Sequence, residues 1–107
     1  MERAMYGSIM RARVQPGKRS EFEALMTEIA SDHRAHGLVR FEIAWEVADP
    51  DAFLAIIHFP DRDSYARNGS RPETDADFRR QLELLDGEPQ WIDVDFGVLI
   101  GTGPTSA

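Results

Sequence analysis

The side chains that we consider first as acid–base groups are those of three histidines and two tyrosines. His33 closes an apolar stripe at helical spacing, where an imidazole is able to act as a general base. The structural alternative is a histidine that packs in the last turn of a helix or is stabilised there by the helix dipole. We therefore predict His33 as the candidate base and keep packing as the alternative.

A second group of candidates alternates along the first predicted strand. Tyr6, Ser8 and Met10 share one face of that strand, because successive strand residues point to opposite faces. Either hydroxyl is able to hydrogen-bond a ligand carbonyl, although a tyrosine at a strand end often packs its ring and keeps its hydroxyl in water. We predict Tyr6 as a catalytic candidate and Ser8 and Met10 as substrate-binding residues.

Further candidates lie just before an irregular segment at residues 69–72. Tyr65, Arg67 and Asn68 precede this segment, and segments of this kind often cover pockets. A guanidinium such as that of Arg67 is able to stabilise an anionic ligand oxygen electrostatically. We predict Tyr65 as catalytic and Arg67 and Asn68 as substrate-binding, with a solvated side chain as the alternative for Arg67.

Composition argues against several classes of function. A chain of 107 residues that is 42% hydrophobic suits one globular domain. The formal net charge of −7 argues against a nucleic-acid partner, since phosphates need a basic surface. The absence of cysteine excludes disulfides, thiolate zinc sites and cysteine nucleophiles. The three histidines lack the spacing of metal ligands, so we predict no metal.

Targeting signals are also missing from the sequence. No apolar run approaches the roughly 20 residues that a membrane span requires, and the N-terminus lacks the apolar core of a secretory signal. We therefore predict a soluble cytoplasmic protein with no membrane partner.

Hydrophobic periodicity predicts the element order β-α-β-β-α-β. A period of two indicates strands and a period near 3.6 indicates helices, with Gly and Pro at the breaks. The predicted strands cover residues 6–14, 38–47, 51–59 and 91–100. The predicted helices cover residues 18–36, a short segment 61–68 capped by Asp61, and a segment that opens near Thr74 and ends before Gly87.

This order predicts an α+β fold of the ferredoxin-like type, with the helices on one side of a four-stranded antiparallel sheet. Residues 6–101 form the domain, 1–5 an N-terminal arm and 102–107 a flexible tail. The more apolar strand faces are predicted to pack on the helices: Met10, Ala12, Phe41, Ile43, Trp45, Val94 and Phe96. The opposite face mixes charge with apolar residues: Arg11, Arg13, Arg40, Glu42, Asp93 and Asp95 with Ile9, Leu54 and Ile56.

That mixed face is too polar for a core and too apolar at its centre to be left in water. We predict that a second copy of the sheet covers it, giving a homodimer by sheet–sheet packing. The alternative is a monomer whose strand charges are solvated.

Several spaced motifs match a known family. They are Val14-Gln15-Pro16-Gly17-Lys18 with Glu21-Phe22-Glu23-Ala24-Leu25, then His36-Gly37-Leu38, Asp49-Pro50-Asp51-Ala52-Phe53 and Asp63-Ser64-Tyr65-Ala66. Across residues 6–101 the chain resembles antibiotic-biosynthesis-monooxygenase-type domains of the dimeric α+β barrel superfamily.

The resemblance implies a ligand pocket between the sheet and the helices. A Trp usually ends the third strand of such domains and faces the pocket, and Phe59 occupies that place here. By alternation His58 then faces the dimer interface, where an interface hydrogen bond is its expected role. Phe41, Trp45 and Phe59 are core residues first, and they contact a ligand only where the helices leave a cavity.

The resemblance also implies an activity, namely cofactor-independent oxidation of a small aromatic phenol or quinol by O₂. The haem-degrading branch uses a pocket Asn on the first strand and a downstream His. This chain has Met10 near the matching place and no histidine after His58, so haem degradation is not expected. Two alternatives remain: a non-catalytic dimeric domain that binds a small ligand, and a polyketide-type cyclase or isomerase.

Overall fold

Four antiparallel strands in the order β2-β3-β1-β4 form the sheet of the computed structural model, which describes residues 5–101. The elements follow one another as β1 (Met5–Arg13), α1 (Arg19–His33), a 3-10 turn (Arg34–His36), β2 (Arg40–Trp45), β3 (Ala52–Phe59), α2 (Arg62–Gly69), α3 (Pro72–Leu82) and β4 (Gln90–Phe96). The predicted ferredoxin-like α+β fold is confirmed, with β1 and β3 at the centre of the sheet.

The predicted arm and tail fall largely outside the described residues. Residues 102–107 lie beyond them, and of the arm only Met5 is described, where it begins β1. Among residues 5–101, no helix combines the length and the hydropathy that crossing a membrane requires.

Strand register decides which side chains face the helices. Tyr6 pairs with Phe59 and Ser8 pairs with Ile57, and directly paired residues project from the same face of an antiparallel sheet. The helix-facing side chains of the two central strands are therefore Tyr6, Ser8, Met10, Ala12, Phe53, Ala55, Ile57 and Phe59.

Helix α1 packs on this face through one stripe. Its buried residues are Phe22, Met26, Ile29 and His33, which recur every three or four residues as an amphipathic helix requires. Phe22 meets Phe53 of β3 with ring centroids 4.8 Å apart, so the apolar core lies between α1 and the two central strands. The stripe also carries His33 inward, beneath the end of the helix.

The face assignment predicted for β4 is wrong. Trp91 pairs with Met10 and Asp93 pairs with Ser8, so these two residues lie on the helix side of the sheet. Val94 and Phe96, which were expected to face the helices, lie on the outer face instead, together with Ile92. Alternation correctly separated the residues of β4 into two sets. Pairing with β1 decides which set faces the helices, and as a result the outer face is largely apolar.

The predicted bounds of β4 and α3 also need correction. β4 ends at Phe96, and the apolar residues 98–100 are exposed beyond it. α3 begins at Pro72 rather than near Thr74, because proline suits the first turn of a helix. Leu85, predicted to lie in this helix, instead forms an isolated bridge to Val14 and joins the core.

Gly7 marks a very close approach between β1 and β3. A Cβ atom at this position would overlap the carbonyl oxygen of Ile57 and would lie 3.3 Å from the ring of Phe96. On the same outer face, the rings of His58 and Phe96 stack with centroids 3.7 Å apart. The absent side chain at Gly7 thus leaves room for Phe96 to lie flat against the sheet.

Candidate active site

A cavity of about 340 Å³ opens between the sheet and the helices. Its floor is formed by strand residues Ser8, Met10, Phe41, Ile57, Phe59 and Trp91. Helix residues close its sides, namely Met26, Ile29, His33, Tyr65, Asn68, Asp77, Phe78 and Gln81. Mostly apolar walls with a few polar groups are typical of small-molecule sites.

His33 is buried in the cavity wall and has partners at both ring nitrogens. Its Nε2 lies 2.9 Å from Oδ2 of Asp77, and its Nδ1 lies 3.0 Å from Nδ2 of Asn68. Because the Asn68 amide nitrogen donates only, Nδ1 is the accepting nitrogen and the ring proton belongs on Nε2. His33 therefore donates to the Asp77 carboxylate, which holds the imidazole in one tautomer and one orientation.

The partners of His33 are held in turn by arginines. Asn68 Oδ1 accepts a 2.9 Å hydrogen bond from Arg71, and Arg80 lies 3.4 Å from Oδ1 of Asp77. Arg80 also donates to Glu28 at 2.6 Å, a contact that raises the pKa of the Arg80 guanidinium. The network joins α1, α2 and α3 and places the His33–Asp77 pair between two cations.

Tyr65 projects from α2 toward the sheet. Its hydroxyl donates to Oδ1 of Asp93 at 3.3 Å, and its ring meets those of Tyr6 and Phe59 edge-on at 5.2 and 5.5 Å. Burial, reinforced by the nearby Asp93 carboxylate, raises the pKa of Tyr65 above its ordinary value, although Ser8 opposes the shift. Tyr65 thus stays protonated at neutral pH and serves as a hydrogen-bonding group rather than as a base.

Two polar oxygens in the cavity wall have no hydrogen-bond partner among the described residues. They are Oγ of Ser8, which is fully buried, and Oε1 of Gln81, whose residue is 7% exposed. Ser8 lies close enough to Tyr65 to influence its pKa, but the geometry between the two hydroxyls does not make a hydrogen bond, so we treat the Ser8 oxygen as unpartnered. Buried polar atoms are normally paired, so both oxygens mark places where a ligand or water belongs.

The structure gathers most of the predicted site residues around this cavity. Seven of them line it: Ser8, Met10, His33, Phe41, Phe59, Tyr65 and Asn68. Sequence reasoning missed Asp77, Gln81 and Trp91. Spacing did not single out Gln81, because the apolar Leu82 is equally well placed after Phe78 at helical spacing, whereas the structure buries Gln81 and leaves Leu82 40% exposed.

Three predicted site residues lie outside the cavity wall. Tyr6 lies beside the site, where its ring contacts that of Tyr65 and lies 5.9 Å from the guanidinium carbon of Arg62. Trp45 packs in the aromatic cluster at the far end of α1, where its indole N–H donates to Glu23 at 2.8 Å. Arg67 is exposed, because Ser64 and Asn68 occupy the inward face of α2.

Asp32, His33 and Asp77 could in principle hold a metal ion, since one ligand atom from each lies within 4.8 Å of the others. Two arginine side chains of the protein already form ion pairs with these carboxylates, however. Arg71 lies 3.8 Å from Asp32, and Arg80 lies 3.4 Å from Asp77. The donor set therefore fits an ion-pair network better than a metal centre.

A family model described as antibiotic biosynthesis monooxygenase matches residues 5–79. The chain belongs to this family. Among curated proteins, none matches the sequence.

Solved structures of similar fold come from several bacteria. A protein of Nitrosomonas europaea assigned as an antibiotic biosynthesis monooxygenase is 19% identical with a TM-score of 0.74, covering 96% of this chain and 98% of its own. One from Chloroflexus aurantiacus with the same assignment is 26% identical with a TM-score of 0.67, covering 92% and 100%. A variant of SnoaB, a cofactor-independent oxygenase from Streptomyces nogalater, is 20% identical with a TM-score of 0.72, covering 94% and 98%.

Proposed function

We propose that this protein is a cofactor-independent monooxygenase that oxidises a small aromatic phenol or quinol with O₂. The observation that carries the proposal is the buried His33–Asp77 pair in the wall of an apolar cavity. Membership of the antibiotic biosynthesis monooxygenase family and the similarity of fold to SnoaB, a cofactor-independent oxygenase, support the same reaction class.

His33 is the group best placed to take a proton from the substrate. Asp77 accepts from Nε2–H, so the basic lone pair of His33 is on Nδ1. When a phenol binds, the Asn68 N–H moves from Nδ1 to the phenol oxygen while Arg71 keeps its contact with Asn68 Oδ1, and the phenol hydroxyl transfers its proton to Nδ1. The Asp77 carboxylate then stabilises the imidazolium that forms, as the orienting carboxylate does in hydrolase triads.

Asn68 is suited to stabilise the phenolate that results. Its amide nitrogen carries two hydrogens, and Arg71 holds its carbonyl oxygen at 2.9 Å, so a positive charge polarises the amide. Donors held in place in a site of low polarity stabilise a developing anion more strongly than water does.

The remaining chemistry needs only the substrate and O₂. The electron-rich anion gives one electron to O₂, and the two radicals combine to form a C–O bond and, after protonation, a hydroperoxide. Loss of water then leaves a carbonyl, so that a phenol and O₂ become a quinone and H₂O without a further reductant; in anthrone the same balance converts the CH₂ group to C=O. The walls formed by Met26, Ile29, Phe41 and Phe59 would keep bulk water away from the anion.

Oxygen consumption with anthrone tests this proposal. We expect uptake above the spontaneous rate, with anthraquinone and water as products, and a loss of about 10²- to 10⁴-fold in kcat for His33→Gln. His36→Gln is the matched control, because His36 is exposed in the turn after α1. Uptake no faster than the spontaneous rate, or equal rates for both variants, would refute the assignment of His33 as the base.

A non-catalytic ligand-binding domain is the second candidate. One observation favours it: both ring nitrogens of His33 already have partners, so the base is not free in this conformation. Tight binding of a hydroxyaromatic compound without any oxygen uptake would decide for this alternative.

We also propose that the protein is a homodimer formed through the outer sheet face. The inverted β4 supports this, since Ile92, Val94 and Phe96 join Ile9, Leu54 and Ile56 there. Charged residues surround the apolar centre, among them Arg11, Arg13, Arg40 and Glu42. An apolar patch with a charged rim is typical of an interface between subunits.

A further inference from the structure

Gln81 is the buried residue of α3, and it faces the cavity. Helices that pack on a sheet normally bury apolar side chains, and α3 does bring Phe78 toward the ring of Trp91, with centroids 5.8 Å apart. At the next inward position it has a carboxamide whose Oε1 is enclosed and has no hydrogen-bond partner among residues 5–101. A leucine there would pack without leaving a polar atom unpaired, so the glutamine is unfavourable for folding alone.

Ser8, on the sheet side of the cavity, also has a buried oxygen without a hydrogen-bond partner among the described residues. It lies in the middle of β1 with no exposed surface, and its Oγ is also unpartnered. Both residues line the same apolar cavity, Ser8 from the sheet floor and Gln81 from α3. Apolar side chains lie around them, among them Met10 and Phe41.

The charges around the cavity restrict what these oxygens are able to bind. Gln81 Oε1 is an acceptor, and Asp77 lies one helical turn before it, on the order of 6 Å away along the axis. A carboxylate or phosphate placed there would meet a carbonyl oxygen and a nearby negative charge. A neutral hydroxyl donates to Oε1 without that repulsion.

We propose that Gln81 and Ser8 are substrate-recognition residues that bind two separate oxygen substituents of a neutral, polyhydroxylated aromatic ligand. Gln81 Oε1 accepts from one hydroxyl of the ligand, and Ser8 Oγ pairs with a second hydroxyl or with a carbonyl. The proposal rests on the proposed function for the aromatic class of the ligand, and it adds that a ring with a second oxygen substituent binds more tightly than a ring with a single hydroxyl.

Calorimetric titration under argon tests this with naphthalene, 1-naphthol and a panel of dihydroxynaphthalenes. We expect the wild-type protein to bind at least one dihydroxy isomer about tenfold more tightly than 1-naphthol, the change expected for one further neutral hydrogen bond. In Gln81→Leu and in Ser8→Ala the affinity for that isomer falls to the level of 1-naphthol. Gln90→Leu, an exposed position on β4, serves as the matched control and keeps the preference.

Thermal melting of the same variant gives an independent readout. Gln81→Leu removes an unpartnered buried oxygen, so we expect its Tm to rise while its affinity for the dihydroxy ligand falls. A lowered Tm would show that the carboxamide is paired within the protein and would overturn the proposal. Preference for the second hydroxyl that persists in Gln81→Leu would overturn it equally.

Oxygen uptake with anthrone on the same preparations separates this inference from the enzymatic one. Uptake without any preference for a second hydroxyl refutes the recognition by Gln81 and Ser8 and leaves the monooxygenase proposal standing. Preference for the second hydroxyl without oxygen uptake supports recognition by Gln81 and Ser8 and refutes the monooxygenase proposal. Failure of every probe to bind the wild-type protein overturns the recognition proposal.

Discussion

His33 shows how far a single residue is predictable from its position in the chain. The helical stripe that includes Phe22, Met26 and Ile29 is visible in the sequence, and it places His33 on the inward side of α1. The residues that hydrogen-bond to His33 cannot be predicted from helical spacing in this way. Asn68 and Asp77 are 35 and 44 residues away, and they meet the ring only because α2 and α3 pack beside the end of α1.

Tyr65 offers a test at the scale of one ionisable group. Burial and the Asp93 carboxylate raise its pKa above the ordinary 10.0, so the folded state favours the protonated phenol. The stabilisation is fully present below pH 10 and is lost as the pH rises through the higher folded pKa. We expect ultraviolet difference titration to show one tyrosine ionising above pH 10, and that component to be missing in Tyr65→Phe.

The thermal stability of the wild-type protein and that of Tyr65→Phe should differ above pH 10. Because the wild-type protein loses the contribution of Tyr65 above pH 10, its Tm should fall more steeply there than that of Tyr65→Phe. Ionisation of Tyr65 below pH 10, or parallel Tm curves, would contradict the role assigned to burial.

Helix α2 is the element that brings Tyr65 and Asn68 to the cavity, and its start was predictable. The sequence indicated Asp61 as the N-cap, and this prediction is confirmed. Asp61 Oδ1 accepts from the backbone N–H of Ser64 at 2.8 Å, while the Ser64 hydroxyl lies 3.4 Å from the backbone nitrogen of Asp61. This reciprocal capping fixes the first turn of a helix that has few apolar contacts of its own.

Removing that cap tests the importance of α2. The hydrogen bond from Ser64 lowers the pKa of Asp61 below 3.8, so its contribution to stability is present above pH 3.8 and is lost as the pH falls through the lower folded pKa. We expect Asp61→Ala to lower Tm at pH 7, and the difference from wild type to shrink near pH 2. The Tm of Asp61→Asn should fall less at pH 7, because the amide retains an accepting oxygen. A difference that is independent of pH would contradict an ionised cap.

Strand β4 shows what periodicity leaves open at the scale of an element. Ile92, Val94 and Phe96 share one face in the sequence and in the structure. Which face that is depends on pairing with β1, and a shift of one residue would reverse it. The apolar set was expected beneath the helices, whereas the register places Asp93 there, close enough to accept from Tyr65.

At the scale of the whole molecule, the outer sheet face leads to a prediction about assembly. We expect light scattering to show a dimer for the wild-type protein and half that mass for Ile92→Glu, since Ile92 is 61% exposed at the centre of β4. Val47→Glu is the control, because Val47 is fully exposed in the turn between β2 and β3. An Ile92→Glu protein that remains a dimer, or a wild-type monomer, would contradict the proposed interface.

Periodicity predicted the fold as a whole, whereas the place of the cavity followed only from the resemblance to the family. Element order and strand periodicity depend on local sequence, and they were enough to give the sheet and the position of its central strands. An empty volume depends on how much space side chains on separate elements leave between them. Here the far end of α1 is filled by Phe22, Phe53 and Trp45, whereas the space between α3 and the sheet stays open.

Gly7 has a consequence for mutational scanning. Any side chain at this position meets the carbonyl oxygen of Ile57 in the central strand pair, so every substitution forces β1 and β3 apart. Ser8, the next residue, would then be displaced from the cavity floor, and activity would fall although Gly7 has no chemistry of its own. Intolerance at Gly7 in a screen for function would therefore report the spacing of two strands and should not be taken to identify a catalytic residue.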